Sequence, residues 1–76
     1  MSSMQEGELS TAAIHRLIRK AGATRVGDDA VEELRKVLEE LGVRIGKEAM
    51  ELAAHARRKT VKSDDIRLAV KRVTHE

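Results

Sequence analysis

DDAVEELRKVLEELGVRIGKEAMELAAHA, residues 28–56, has no proline and no turn cluster, and its apolar residues keep one angular position. At about 100° per residue, Val31, Leu34, Leu38, Leu41, Ile45, Ala49, Leu52 and Ala56 fall in one band roughly 80° wide. The helix is expected to open near Asp28 or Asp29. Asp29 and Glu32 have capping-box spacing, and Asp28, Asp29, Glu32 and Glu33 suit the positive end of the helix dipole. At ~1.5 Å per residue the helix is about 42 Å long. A globule of 76 residues has a radius of gyration of about 11 Å and a diameter near ~30 Å. The helix therefore outgrows any core that this chain can build alone.

Its faces point the same way. Val43, Met50 and Ala54 form a second apolar stripe opposite the first, so the later half of the helix is expected to be sandwiched. Between the stripes run Gly42, Gly46, Ala49 and Ala53. A glycine inside a helix costs ~1 kcal/mol against alanine, while small residues one turn apart let another backbone approach closely. We read a crossing point with a second copy of the same helix; the plainer alternative is a weakened helix.

Shorter helices flank it. The first is expected over about Thr11–Ala21, capped by Ser10 or Thr11 and closed by Gly22 in the left-handed conformation. Ile14, Leu17, Ile18 and Ala21 share one face, with Arg16, Arg19 and Lys20 opposite. The third starts near Ser63, with Asp64 and Asp65 in its first turn. Ile66, Ala69, Val70 and Val73 make one face of it, and Leu68 stands apart beside Asp65. The connectors ATRVG (23–27) and RRKTVK (57–62) are each long enough for a short extended bridge only.

Composition narrows the function. There is no Cys, Phe, Tyr, Trp or Pro. Disulfides and thiolate zinc sites are thus excluded, and so is base stacking on aromatic rings. His15, His55 and His75 are far apart, so no metal and no cofactor is expected. No apolar run approaches the roughly 20 residues of a membrane span. The polar, mildly acidic start MSSMQEGELS does not read as a signal peptide, which suggests a cytoplasmic protein. The net charge of +2 conceals segregation: residues 9–27 and 52–63 carry four bases each and no acid, so the remainder is acidic. Basic patches attract polyanions, although a solvated helix face has the same composition. No activated nucleophile, phosphate loop or acid–base pair suggests an enzyme.

IHRLIRKAGATRVGDDAVEELRKVLEELG and KEAMELAAHARRKTVKSDDIRLAVKR closely resemble archaeal histones, over about Leu9 to Arg72. The resemblance implies an all-α histone fold at residues 9–76, behind a short disordered extension at 1–8. It implies an intertwined handshake dimer, either a homodimer or a heterodimer with a paralogous histone. Leu34, Leu38, Leu41, Gly42, Ile45, Gly46 and Ala49 would form its interface. The first loop of one protomer would pair with the second loop of the other.

The implied function is to wrap and compact double-stranded DNA with little sequence preference, at the chromosome or nucleoid. Arg16, Arg19 and Lys20 would contact phosphates from the first helix, and Lys59 and Lys62 from the second loop. Arg25 would enter the minor groove, held by Thr60. Arg58 and Asp65 would form a structural ion pair. Leu52, His55, Asp65 and Leu68 would join dimers into higher oligomers on DNA, with a pH response if His55 pairs with Asp65. Each position also has a plainer reading: a solvated face for the first-helix bases, a helix cap for Arg25, and a bridge residue for Thr60. Gly22 is either a plain C-cap or a smooth surface where DNA turns stack.

The alternative function is a histone-fold subunit of a transcription or repair complex, acting as a dimerisation module. The chain departs from the family pattern at Ser10 and Ala13, which replace prolines, and at Val73, near a missing aromatic. Its N-terminus is not a basic tail. Arg57 stands where a small residue is common; it adds charge, and is expected either to touch DNA or to crowd the contact between dimers.

Overall fold

A computed structural model describes residues 8–74. Among them are three helices and no strand: α1 (Thr11–Lys20), α2 (Asp28–His55) and α3 (Ser63–Thr74). The expected N-terminal extension lies outside the described residues except for Glu8, and His75 lies outside them too. The chain divides into two compact units, one up to Glu40 and one from Leu41 on, with α2 continuous through the boundary.

In the first unit, Ser10 caps α1. Its backbone is extended, and its Oγ accepts the Ala13 N–H at 3.0 Å. The helix ends in a paired closure: the Gly22 N–H donates to the Arg19 carbonyl at 2.9 Å and the Ala23 N–H to Ile18 at 3.4 Å. This closure needs a left-handed residue, and Gly22 takes φ +117°. Of the face expected to be covered, only Ile14 is buried. Ile18 is half-buried, Ala21 is exposed, and Leu17 is 50% exposed.

The start of α2 differs from the expected capping box. The Gly27 carbonyl accepts the Ala30 and Val31 N–H groups at 3.1 and 3.2 Å, so Gly27 holds the cap position. Asp29 lies inside the first turn, where its Oδ1 accepts the Ala30 N–H at 2.8 Å. Glu32 turns away from the backbone to Arg35, because a guanidinium one turn on offers a charged, forked donor.

Arg35 is buried and lies between two carboxylates, Glu32 and Glu39; its Nη1 donates to Glu39 at 2.9 Å. The other oxygen of Glu39 accepts the backbone N–H groups of Glu8 (2.6 Å) and Leu9 (2.8 Å). These bonds tie the segment before α1 to α2. They hold the Glu39 carboxyl below its usual range, the Leu9 N–H foremost, then Glu8 and Arg35. The bond to Glu32 raises the Arg35 pKa further above its usual value.

The second unit is built on small residues. Ala49 and Ala53 of α2 and Ala69 of α3 are its buried apolar side chains, which brings the two helices close. Arg72 of α3 reaches Glu48 of α2 at 2.7 Å. Ala49, expected at a crossing between chains, is already fully buried within the single chain.

Little of the apolar surface is covered. Ile14 is the large side chain that is fully buried among the described residues. Leu34, Leu38, Leu41, Ile45 and Leu52 are only half-buried, and Ala56 is exposed. On the other side of α2, Val43 and Met50 are 58% and 57% exposed. Ile66, Leu68 and Val70 of α3 are also exposed. Gly42 and Gly46 face open space: a Cβ on either would meet nothing within 4 Å.

Candidate nucleic-acid interface

The exposed cations arise from helix phase and loop position. α1 turns Ile14 inward, which leaves Arg16, Arg19 and Lys20 exposed. In the first connector Val26 is half-buried while Gly22, Thr24 and Arg25 are exposed. In the second connector Lys59, Thr60 and Lys62 are exposed.

Pairing separates the bases into two groups. Arg35, Arg58, Arg67 and Arg72 each hold an acidic partner. Among the described residues, Arg16, Arg19, Lys20, Arg25, Lys59 and Lys62 have no acid within ion-pair distance. All six residues are exposed.

The second connector is held rigid. Arg58 grips Asp65 with both guanidinium nitrogens, at 3.0 and 2.9 Å, and also donates to the Thr60 carbonyl at 2.8 Å. Asp65 Oδ2 further accepts the Lys62 N–H at 2.8 Å, which caps α3. Arg58, and then this N–H, pull the Asp65 pKa from 3.8 down to about 2. The same bond raises the pKa of Arg58. Asp65 is 5% exposed, so it sits beneath the loop rather than on its surface. Three of its roughly four acceptor positions are filled, which leaves about one for another donor. The clamp fixes the backbone on either side of Lys59 and Thr60.

The second connector begins with the same closure as the first. The Arg57 N–H donates to Ala54 at 2.8 Å and the Arg58 N–H to Ala53 at 3.0 Å. Here, however, an arginine takes the left-handed position, at φ +62°. Neither connector contains a strand or a bridge within the single chain.

The residues expected to join dimers lie in the second unit. Leu52 is half-buried, His55 and Leu68 are exposed, and Asp65 is buried. Among the described residues no group of three His, Cys, Asp or Glu could hold a metal ion. No helix is long and apolar enough to cross a membrane. Sequence reasoning missed Arg35 and Glu39, although the spacing Glu32–Arg35–Glu39 carries the signal. It also missed the backbone role of Arg57, which follows Ala56 as Gly22 follows Ala21.

Exposed cations on a helix and its connectors can bind phosphates, and phosphate contacts position a duplex without reading its sequence. The family described as histone-like transcription factor (CBF/NF-Y) and archaeal histone matches residues 7–70. The chain is similar to one of the subunits of the archaeal histone HAN1 of Thermococcus zilligii, with 59% identity over 84% of this chain and 96% of that protein. It is similar to probable archaeal histone 3 of Methanocaldococcus jannaschii, with 41% identity over the same shares. The major histone H4 of Tetrahymena pyriformis is 34% identical over 84% of this chain and 62% of its own length.

Proposed function

The chain belongs to the family of archaeal histones and histone-like CBF/NF-Y factors, and on that premise we propose that it is a chromosome-associated, DNA-binding protein that dimerises and bends duplex DNA around itself. The observation that carries the reading is the set of exposed cations with no acidic partner on α1 and both connectors.

In this proposal two chains cross at Gly42 and Gly46 and cover Leu34, Leu38, Leu41 and Ile45 between them. The handshake sets the first connector of one chain beside the second connector of its partner, so Arg25 meets Thr60 across the pair. Arg25 then enters the minor groove, where the negative potential is focused. Arg16, Arg19, Lys20, Lys59 and Lys62 line the backbone on either side. Bending costs a few kcal/mol, so deformable sites are preferred and base identity is read weakly. Residues 9–76 form the domain, behind a short extension. Leu52, His55, Asp65 and Leu68 join dimers into longer arrays. The role is binding in the cytoplasm, without catalysis or cofactor.

A second reading is a histone-fold subunit of a transcription or repair complex that acts as a dimerisation module; the similar protein of Thermococcus zilligii is itself a subunit, which favours pairing with a different chain.

Salt titration separates the two readings. Neutralising phosphates releases counterions, so log K for duplex binding should fall with log[salt] at a slope of about −0.9 per phosphate contact. Arg25→Ala should weaken binding to unrelated sequences alike and make that slope shallower. A flat profile, or unchanged affinity in Arg25→Ala, would contradict the wrapping proposal.

A further inference from the structure

We infer that Arg57 is a further contact to the phosphate backbone, kept at a conformational cost that glycine would remove. The inference rests on the DNA-binding reading above.

α1 and α2 end in the same pair of backbone hydrogen bonds, and each pair needs one left-handed residue. After α1 that residue is Gly22, at φ +117°. After α2 it is Arg57, at φ +62°, the one non-glycine with positive φ among the described residues. A side chain with a Cβ is disfavoured there, because the Cβ crowds the following carbonyl oxygen. Folding alone therefore favours glycine at 57.

The side chain does no visible work inside the chain. Arg57 is exposed. Among the described residues it has no ion-pair or side-chain hydrogen-bond partner. The next residue, Arg58, does the structural work by clamping Asp65 and Thr60. Arg57 instead joins Lys59 and Lys62 in an acid-free stretch, on the loop whose backbone that clamp holds still. An unpartnered guanidinium carried on a disfavoured backbone, in a basic loop braced by Arg58, suits an anionic oxygen outside the chain, and a phosphate offers two such oxygens to its fork. The competing role is internal: a cation at the C-terminus of α2 complements the helix dipole.

The two roles predict opposite signs in one variant. Full-length wild type, Arg57→Gly and Arg57→Lys would be compared by thermal melting and by salt titration of a random-sequence duplex. A phosphate contact predicts that Arg57→Gly melts a few degrees higher yet binds several-fold more weakly. Its log–log salt slope should be shallower by about 1 for each phosphate no longer neutralised. Arg57→Lys should keep most of the slope. Unchanged affinity and slope in Arg57→Gly would overturn the inference while leaving the wrapping proposal standing. A lower melting temperature would overturn it too, by assigning Arg57 to the helix end. A flat salt profile in the wild type would overturn both.

Discussion

Asp65 governs the second connector. It binds Arg58 through both oxygens and takes the Lys62 N–H. Its pKa is held at about 2, against an ordinary 3.8. A carboxyl whose folded pKa is depressed contributes stability that is present above its unfolded pKa. That contribution is lost as pH falls from about 4 through 2. Glu32 and Glu39 are also held below their ordinary 4.5 and add to the same loss. We predict that Asp65→Asn lowers the melting temperature at pH 7 and makes its fall below pH 4 shallower than in the wild type. Circular dichroism across pH 2–7 checks this; parallel curves would show that Asp65 is not the titrating clamp. At this scale the sequence was readable where a cap is local: Ser10 before α1 and Gly22 after it. It misled at Asp29, because the Gly27 carbonyl took the cap position and Arg35 claimed Glu32. Arg35 and Glu39 were illegible for another reason. Glu39 binds the backbone N–H groups of residues 30 and 31 positions earlier, a tie that no local pattern encodes.

α2 is the element on which the larger architecture depends. Its extent was legible, because an unbroken apolar band with no proline has little choice but one long helix. Which parts of the band are covered was not. Burial depends on the packing partner, and of the band the single chain buries Val31 and Ala49 while its leucines stay half-covered. Covering a Val or Leu fully contributes about 1.5–3 kcal/mol, so the half-covered band is a large unused driving force. Gly42 lies beside it, with open space around its missing side chain. In a lone chain, Gly42→Leu should raise stability by about 0.8 kcal/mol through helix propensity alone. At a crossing of two helices, the same leucine should weaken association by tenfold or more and lower the melting temperature. Dimer dissociation followed by sedimentation decides between them, and a stabilised variant with unchanged association would remove Gly42 from the crossing.

At the scale of the molecule, the chain leaves both sides of its long helix and much of α3 open, with its cations exposed on α1 and the connectors. The three-helix layout was legible in the sequence, and the family likeness spans residues 7–70. How the connectors meet was not legible, since the proposed pairing joins segments of different chains. Everything proposed about DNA depends on that pairing, because a single chain cannot set its first connector against a partner's second. The most direct measurement is therefore sedimentation equilibrium of the purified protein without DNA, combined with denaturant unfolding over a hundredfold range of concentration. A dimer is predicted, with an unfolding midpoint that rises with protein concentration, since the partner stabilises the folded state by mass action. A cooperatively folded monomer whose midpoint does not depend on concentration would contradict it.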